Sequence, residues 1–550
     1  MSGRQVGRLG ELTVGLTLVL LVGWPLLVGV ASAMFRQVPE PTTAGWNGSV
    51  SSPALLGNTV RVVGLTILLS VPLGGLLAWL LTRTDLPGRS IGWAILVVQA
   101  MIPLPLQALA WLGGYGNMGR QQALGSSAWL TGWPAAAFVE AVSVLPWVVL
   151  IIGIGLRAAE TELEDQARLL WPAWQVIWRI TIQRAWGLIA AAGLLVAAFA
   201  ATDMTVTDLI PVRTYAEESY LLSQLGLDQA RLMIRATLPQ LTVIGLAVAG
   251  LAYRLSRLDL ERLYAGNRPR WTVPLGSARV PAAVGVALLA LILVGLPLHA
   301  LIWRAGRVGG GAGSGELTWT LSGLVGSLQG GWRDLMGGAG SNLRAPLPGS
   351  IVWSAIAATG SVTLAWVLVW LARRSRIWRV VTLLVFTMAL ATPGPIIGLA
   401  IKQAYAGISY WNRTPVLLVL GLVVRSLPYS LAVAGPTLWS WPRAWDEQAR
   451  LAGLDSWREA TRLTLPLTRT ALAIAWLLAF VQSMGELPCA YLTYAPGYDL
   501  VSLLVWSMLH VGVESRLAAI GLILLALTLI PAGVVLFLAR RLVTRRNSGR

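Results

Sequence analysis

Long apolar runs separated by short polar connectors recur from one end of the 550-residue chain to the other. About twelve reach roughly 20 residues, the length a helix needs to cross ~30 Å of hydrocarbon. They centre on 14–34, 60–82, 91–112, 133–156, 186–210, 236–253, 281–303, 351–372, 379–401, 414–438, 469–493 and 517–539. No ten-residue stretches of alternating hydrophobicity occur, and unpaired backbone groups are costly in lipid, so the pattern predicts helices rather than barrel strands. The expected fold class is an all-α polytopic membrane protein of about 12 transmembrane helices. The first run is too long for a simple signal peptide, lacks a small-residue cleavage site, and is expected to be a retained helix. The proline pairs Pro103/Pro105 and Pro393/Pro395 are expected to break their helices, freeing backbone carbonyls that a cavity or a neighbour must satisfy.

Composition strengthens this reading. The chain is 56% hydrophobic and 12% charged, with mean hydropathy +0.68, whereas soluble domains average about 25% charged residues. A net charge of +18 raises the question of nucleic acid, but the arginines are spread over alternate connectors, among them Arg83, Arg89, Arg157, Arg168, Arg373, Arg374, Arg450 and Arg458. That is the distribution of a bilayer protein with its basic loops inside, which places both termini in the cytoplasm. Lipid is the expected surroundings, with no nucleic-acid partner. The single cysteine, Cys489, precludes an intramolecular disulfide.

The chain repeats itself. Pro146 in "SVLPWVV" and Pro428 in "RSLPYSL" have the same separation as Asp165 in "DQARL" and Glu447 in "EQARL", and "PLPLQALAWL" resembles "PGPIIGLAI". Each half holds six runs, an even number, so the halves insert in the same direction as parallel repeats with a pathway expected between them. The first repeat spans 1–256, an Arg-rich cytoplasmic linker 257–280, and the second repeat 281–550. The second includes a Gly-rich outer loop at 304–350 that is expected to be flexible.

Two polar loops stand at equivalent places: "EDQARLLWPAWQVIWRITIQ" at 164–183 and "DEQARLAGLDSWREATRLTLP" at 446–466. In the second, Ala449, Ala452 and Gly453 at helical spacing make a face without bulk, and Gly453 can end the helix in the left-handed conformation. Ser456 and Glu459 read as a capping box that starts a second short helix, with Pro466 leading into the next run. A small-faced, charged-edged helix displayed to the cytoplasm suits a groove on another protein. Two copies call for a two-fold partner.

Glu447, Ala449, Gly453, Leu463, Leu465 and Pro466 resemble the cytoplasmic "EAA" loop of ABC-importer permeases. The resemblance covers most of the chain as two fused permease domains and is closest to the ferric-iron and thiamine type. It implies coupling helices at 164–183 and 446–466, two ABC ATPase subunits or a homodimer, a periplasmic solute-binding protein, and residence in a bacterial inner membrane. The first loop departs from the motif. Asp165 and Ala167 match, but Trp171 occupies the glycine position and Gln183 the proline position, while Pro172 offers a bend in their place.

No catalytic set is visible. The only lysine, Lys402 in "GLAIKQAY", belongs to no phosphate-binding Gly-rich motif, so any ATP must be hydrolysed by a partner. His299 and His510 lie far apart and read as satisfied interfacial residues rather than metal ligands. No enzyme activity, cofactor or bound metal is expected. Charged residues inside spans are costly and therefore functional suspects: Glu140 and Arg425 of opposite sign on equivalent spans, and Asp203 and Glu486 on the fifth spans, with Gln482 and Thr205 beside them. Glu140 and Arg425 either face each other, or the pathway, across the repeat axis, or each pairs inside its own half or reaches an interface. Two other readings remain open. A twelve-helix secondary transporter of the major-facilitator type would need no ATPase, although its charged loop motif is missing from "RTDLPGRS". A membrane scaffold would transport nothing.

Overall fold

The computed structural model describes residues 13, 15–25, 27–28, 52–116, 125–157, 161–224, 242–250, 271–309, 318–337, 343–439, 443–511 and 515–548. These form an all-α polytopic membrane protein whose only strands among the described residues are the two-residue pair Arg307–Val308 and Thr318–Trp319. In the first half the order is α1 (Ser52–Arg83), α2 (Arg89–Ala100), α3 (Leu104–Tyr115), α4 (Gly132–Arg157), α5 (Thr161–Arg168), α6 (Ala173–Thr202), α7 (Thr205–Leu209) and α8 (Tyr215–Gln224). After α9 (Gly276–Ala305) and α10 (Leu321–Leu335), the same series returns. It consists of α11 (Pro346–Arg374), α12 (Arg376–Ala391), α13 (Gly394–Ala404), α14 (Val416–Trp439), α15 (Arg443–Leu451), α16 (Ser456–Gly485), α17 (Pro488–Thr493) and α18 (Val501–Val511), and α19 (Ser515–Ser548) closes the chain.

Eight of these helices are long and apolar enough to cross a bilayer, or ten if each bent pair counts as one crossing. These correspond to ten of the twelve expected runs. Of the runs at 14–34 and 236–253 only parts are described, so their reading as full spans lies outside the described residues. The runs at 91–112 and 379–401 are not straight crossings: α2 and α3 meet at 100°, α12 and α13 at 109°. The cause is legible in the chain. Thr392, which precedes Pro393, has ψ 123°, since a residue preceding proline is driven out of the helical region, and Pro103 and Pro393 then stand extended, with ψ of 147° and 144°, immediately before α3 and α13. The freed carbonyls find side chains. Gln107 Nε2 donates to Ile102 O at 3.0 Å, and Arg425 Nη1 donates to the equivalent Thr392 O at 3.4 Å.

Within each half the central helix packs against two partners, α4 against α1 and α6, and α14 against α11 and α16. The first spans cross over. Leu18 and Val22 are buried among second-half residues such as Leu368, Leu427 and Ile401, and Trp24 Nε1 donates to Ala404 O at 3.4 Å. Conversely α9 lays Ala283, Val286 and Leu293 on the first-half cluster of Leu77, Val148 and Ile152. The end of the linker joins in: Val273 N donates to Arg83 O at 2.8 Å and Leu275 N to Asp85 Oδ1 at 2.8 Å. The rest of the linker, 257–270, lies outside the described residues.

Within the outer loop 304–350 the segment 321–335 is a helix, while the Gly-rich stretch 310–317 lies outside the described residues. Thr320 caps α10 by accepting from Gly323 N at 3.0 Å, and the helix sets Leu335 in the core beside Leu517 and Ile520 of α19. Arg516 Nε meets Asp334 Oδ2 at 2.8 Å. Leucines at 321, 324, 328 and 335 had the helical period, obscured by the glycines between them.

Candidate functional site

Where the halves meet, a cavity of about 80 Å³ is lined by α2–α3, α4, α6 and α7 from the first half and by α14, α16 and α17 from the second. All four charged residues expected at the pathway open onto it: Glu140, Asp203, Arg425 and Glu486, together with Gln482 and Thr205. Asp203 and Glu486 hold equivalent posts. Each follows the last residue of its long helix and caps the next short one, Asp203 Oδ2 accepting from Val206 N at 2.9 Å and Glu486 Oε1 from Cys489 N at 3.2 Å. A short carboxylate side chain at a helix start satisfies orphan N–H groups, so both fifth spans end on an acid for the same local reason. At Gly485 the halves approach closely, since a Cβ there would overlap the Pro103 ring.

The ion pair of Arg425 lies within one half. Arg425 and Glu140 share the cavity but are not partners. Arg425 Nε lies 3.1 Å from Glu486 Oε1 within its own half, while the Glu140 carboxyl shares the cavity lining with Asp203. Glu140 is 1% exposed and its Oε1 has no hydrogen-bond partner. One half thus carries a matched ion pair and the other a pair of carboxyls with no basic side chain in salt-bridge reach among the described residues. Aromatic rings cross the same boundary: Tyr429 stands 5.7 Å from Trp147 and 5.8 Å from Phe199.

At the opposite pole of the long helices lie the two polar loops. Both open on a helix, α5 and α15, and both re-enter through a π-helical turn, Ile177–Ile182 and Ala460–Thr464. The widened turn shifts the backbone hydrogen-bond register, and Pro466 follows it inside the continuous helix α16. The first loop makes the same turn with Gln183 in the proline's place. Gly453 has φ +75° and ends α15 as expected, and Leu454 N donates to Ala449 O at 3.0 Å. The first loop closes instead with Trp171 N on Ala167 O at 2.8 Å, and Pro172 caps the following turn.

Two details of the sequence reading are corrected. The N-cap is Asp455, whose Oδ1 accepts from Arg458 N at 2.8 Å, rather than Ser456. Glu459 is buried and engaged by Arg374 at 2.7 Å, so it is not free to close a capping box. Of the small residues, only the alanines at the motif's centre point inward. Ala449 and Ala167 are buried against the chain itself, 4% and 6% exposed, while Glu447, Gln448, Ala452, Gly453 and Asp165 are exposed and Leu463 is half-buried. Beside them Leu451 is 88% exposed, and Leu169 and Leu170 are 85% and 78% exposed.

Sequence reasoning passed over the residues that fix these loops to the spans. Arg83, at the end of α1, holds Glu164 with both guanidinium nitrogens at 2.5 and 3.0 Å and donates from Nε to Leu156 O at 2.9 Å. Thr181 Oγ1 adds a bond to Glu164 at 2.7 Å. At the end of α11, Arg373 holds Asp446 at 2.5 Å and donates to Leu438 O. Each half therefore ties the start of its loop helix to the first long helix through one arginine, one acid and the terminal carbonyl region of the central helix. The signal was present as the acidic doublets Glu164–Asp165 and Asp446–Glu447, of which only the second members were assigned.

A third cluster bridges the halves through α7, α8 and α18. His510 Nε2 lies 3.0 Å from Asp208 Oδ2, its Nδ1 lies 2.9 Å from Trp506 O, and Trp506 Nε1 donates to Tyr220 OH at 3.3 Å. His510 is thus satisfied, as expected, whereas His299 lies exposed on α9. No group of three or more His, Cys, Asp or Glu suited to a metal occurs among the described residues. Glu217, on a helix outside the candidate spans, is pushed up to about 9 by burial and then by the Asp208 carboxyl beside it. A carboxyl raised in the folded state contributes stability that is complete below its ordinary value and is lost as pH rises through the folded value. Thermal unfolding between pH 5 and pH 9 is therefore expected to show a falling Tm in the wild type and a flatter profile in Glu217→Gln. Identical profiles would contradict the assignment.

No protein-family model matches the chain. Among curated proteins it is 31% identical over 99 residues to the spermidine/putrescine transport system permease protein PotC of Escherichia coli (strain K12), covering 18% of this chain and 36% of that protein. It is 29% identical over 135 residues to the molybdenum transport system permease protein ModB of the same strain, 22% of this chain and 56% of the relative. The putrescine transport system permease protein PotI is 27% identical over 169 residues, 30% and 59%. The chain thus spans between about a third and three-fifths of the length of these relatives, all of them transport permeases rather than enzymes.

Proposed function

We propose that the chain is the transmembrane permease subunit of an ABC importer, a multi-pass protein of the bacterial inner membrane with both termini in the cytoplasm. Its two fused halves form one pathway, a periplasmic binding protein delivers the solute, and two separate ATPase subunits, or a homodimer of one, supply the energy. The observation that carries this reading is the duplicated anchorage of α5 and α15. A short helix displayed beside each half, clamped by a buried or half-buried arginine to the first long helix, can move only if that helix moves with it. The kinship with transport permeases supports the same reading.

In this scheme Glu447, Gly453 and Asp165 face the ATPases. Ala449 and Ala167 let their helices lie close against the spans, and Leu463 and Pro466 sit where the second loop re-enters. Glu140, Asp203, Arg425 and Glu486 line the pathway at the boundary of the halves. The sequence resemblance puts ferric iron first as solute, with thiamine or another small charged molecule behind it, while the relatives named above are polyamine and molybdenum permeases. The two carboxyls without a basic partner favour a cation over an oxyanion.

The test is uptake into proteoliposomes holding this chain with a candidate ATPase and binding protein. Solute accumulation that requires internal ATP supports the assignment. Accumulation driven by a proton or sodium gradient with no ATPase present would favour the secondary-transporter reading.

A further inference from the structure

We propose that the Glu140–Asp203 pair is a subsite for the ammonium head group of an organic amine, which makes the transported solute an organic amine rather than an iron complex or an oxyanion. The inference rests on the importer reading above. Two carboxyls share one wall of the cavity, and the Glu140 side chain is almost wholly buried with Oε1 unpartnered. A buried acceptor of this kind is expensive unless something donates to it.

The one guanidinium in the cavity does not fill that role. Arg425 gives Nε to Glu486 and Nη1 to the Thr392 carbonyl. An oxyanion would therefore meet an arginine already engaged and two carboxyls of its own sign. A ferric ion would find no cluster of three His, Cys, Asp or Glu ligands among the described residues. An ammonium group carries three donors, enough to bridge Glu140 and Asp203. The cavity volume of about 80 Å³ is several times the ~10–15 Å³ one water needs, so it takes a head group rather than a whole solute. Trp147, Phe199 and Tyr429 also line the cavity, and aromatic faces attract cations.

The test is binding of 1,4-diaminobutane to the full chain in nanodiscs, followed by calorimetry or thermal shift, with tetramethylammonium, ferric citrate and molybdate as comparison probes. Saturable binding of the diamine is expected, with weaker binding of tetramethylammonium, which has no N–H donors, and none of ferric citrate or molybdate. Glu140→Gln and Asp203→Asn preserve shape, and each is expected to lower diamine affinity about 10- to 100-fold with the unliganded Tm unchanged or higher. The inference is overturned if the wild type does not bind the diamine, if both variants bind it as the wild type does, or if molybdate or ferric citrate binds instead. ATPase association measured on the same samples separates the two proposals. Intact association without amine binding sinks only the solute class, and amine binding without association sinks only the importer reading.

Discussion

Arg83→Leu is expected to destabilise the folded chain by about 3–5 kcal/mol, because it strands the Glu164 carboxylate in a dry site. Both side chains are nearly sealed, 3% and 1% exposed, and Thr181 alone cannot neutralise a buried charge. The double substitution Arg83→Leu with Glu164→Leu is expected to recover much of the loss, since removing both partners leaves no uncompensated charge. Arg373→Leu is expected to cost less, because its pair with Asp446 is 12% and 27% exposed and solvent screens it. Thermal unfolding of the purified variants in nanodiscs distinguishes these cases. A Tm for Arg83→Leu equal to that of the wild type would remove the anchor from the account. Beyond stability, α5 released from α1 is expected to lose its coupling to the first half even in molecules that remain folded.

Much of the architecture was written into the chain as periodicity. The long runs became helices, the proline pairs became sharp bends, and the matched motifs became matched elements, down to the two acids that follow the fifth spans. Gly453 is legible because positive φ is open to glycine at little cost. Side-chain partnership was not legible. Glu140 and Arg425 invited pairing by sign and position, but Arg425 reaches Glu486, which a bend at the end of α16 brings back beside it. No one-dimensional spacing encodes that bend. The role of Glu164 and Asp446 escaped notice for a related reason. Their partners, Arg83 and Arg373, lie 81 and 73 residues away and read simply as basic residues at the inner ends of spans. The π-helical turns were hidden as well, since the first forms without the proline that drew attention to the second.

The two loops are expected to contribute unequally. At α15 the exposed row of Glu447, Gln448, Leu451 and Gly453 offers charge, one bare leucine and a low-profile turn. At α5 the glycine is replaced by Trp171, whose ring lies 5.3 Å from the Arg179 guanidinium. Glu447→Arg combined with Gly453→Trp reverses a charge at the rim of the docking surface and forces a bulky residue into left-handed backbone, a conformation that costs a non-glycine residue roughly 1–2 kcal/mol. Loss of two central contacts typically weakens an interface by 2 kcal/mol or more, so a drop in ATPase affinity of roughly thirtyfold is expected. Asp165→Arg is expected to weaken it less.

Co-purification of a candidate ATPase with the wild-type chain and with the Glu447→Arg, Gly453→Trp variant, each inserted in the membrane to the same level, tests the central claim most directly. The account predicts a stable complex for the wild type and little or none for the variant. Equal recovery of ATPase with both, together with unchanged ATP-driven uptake, would contradict it.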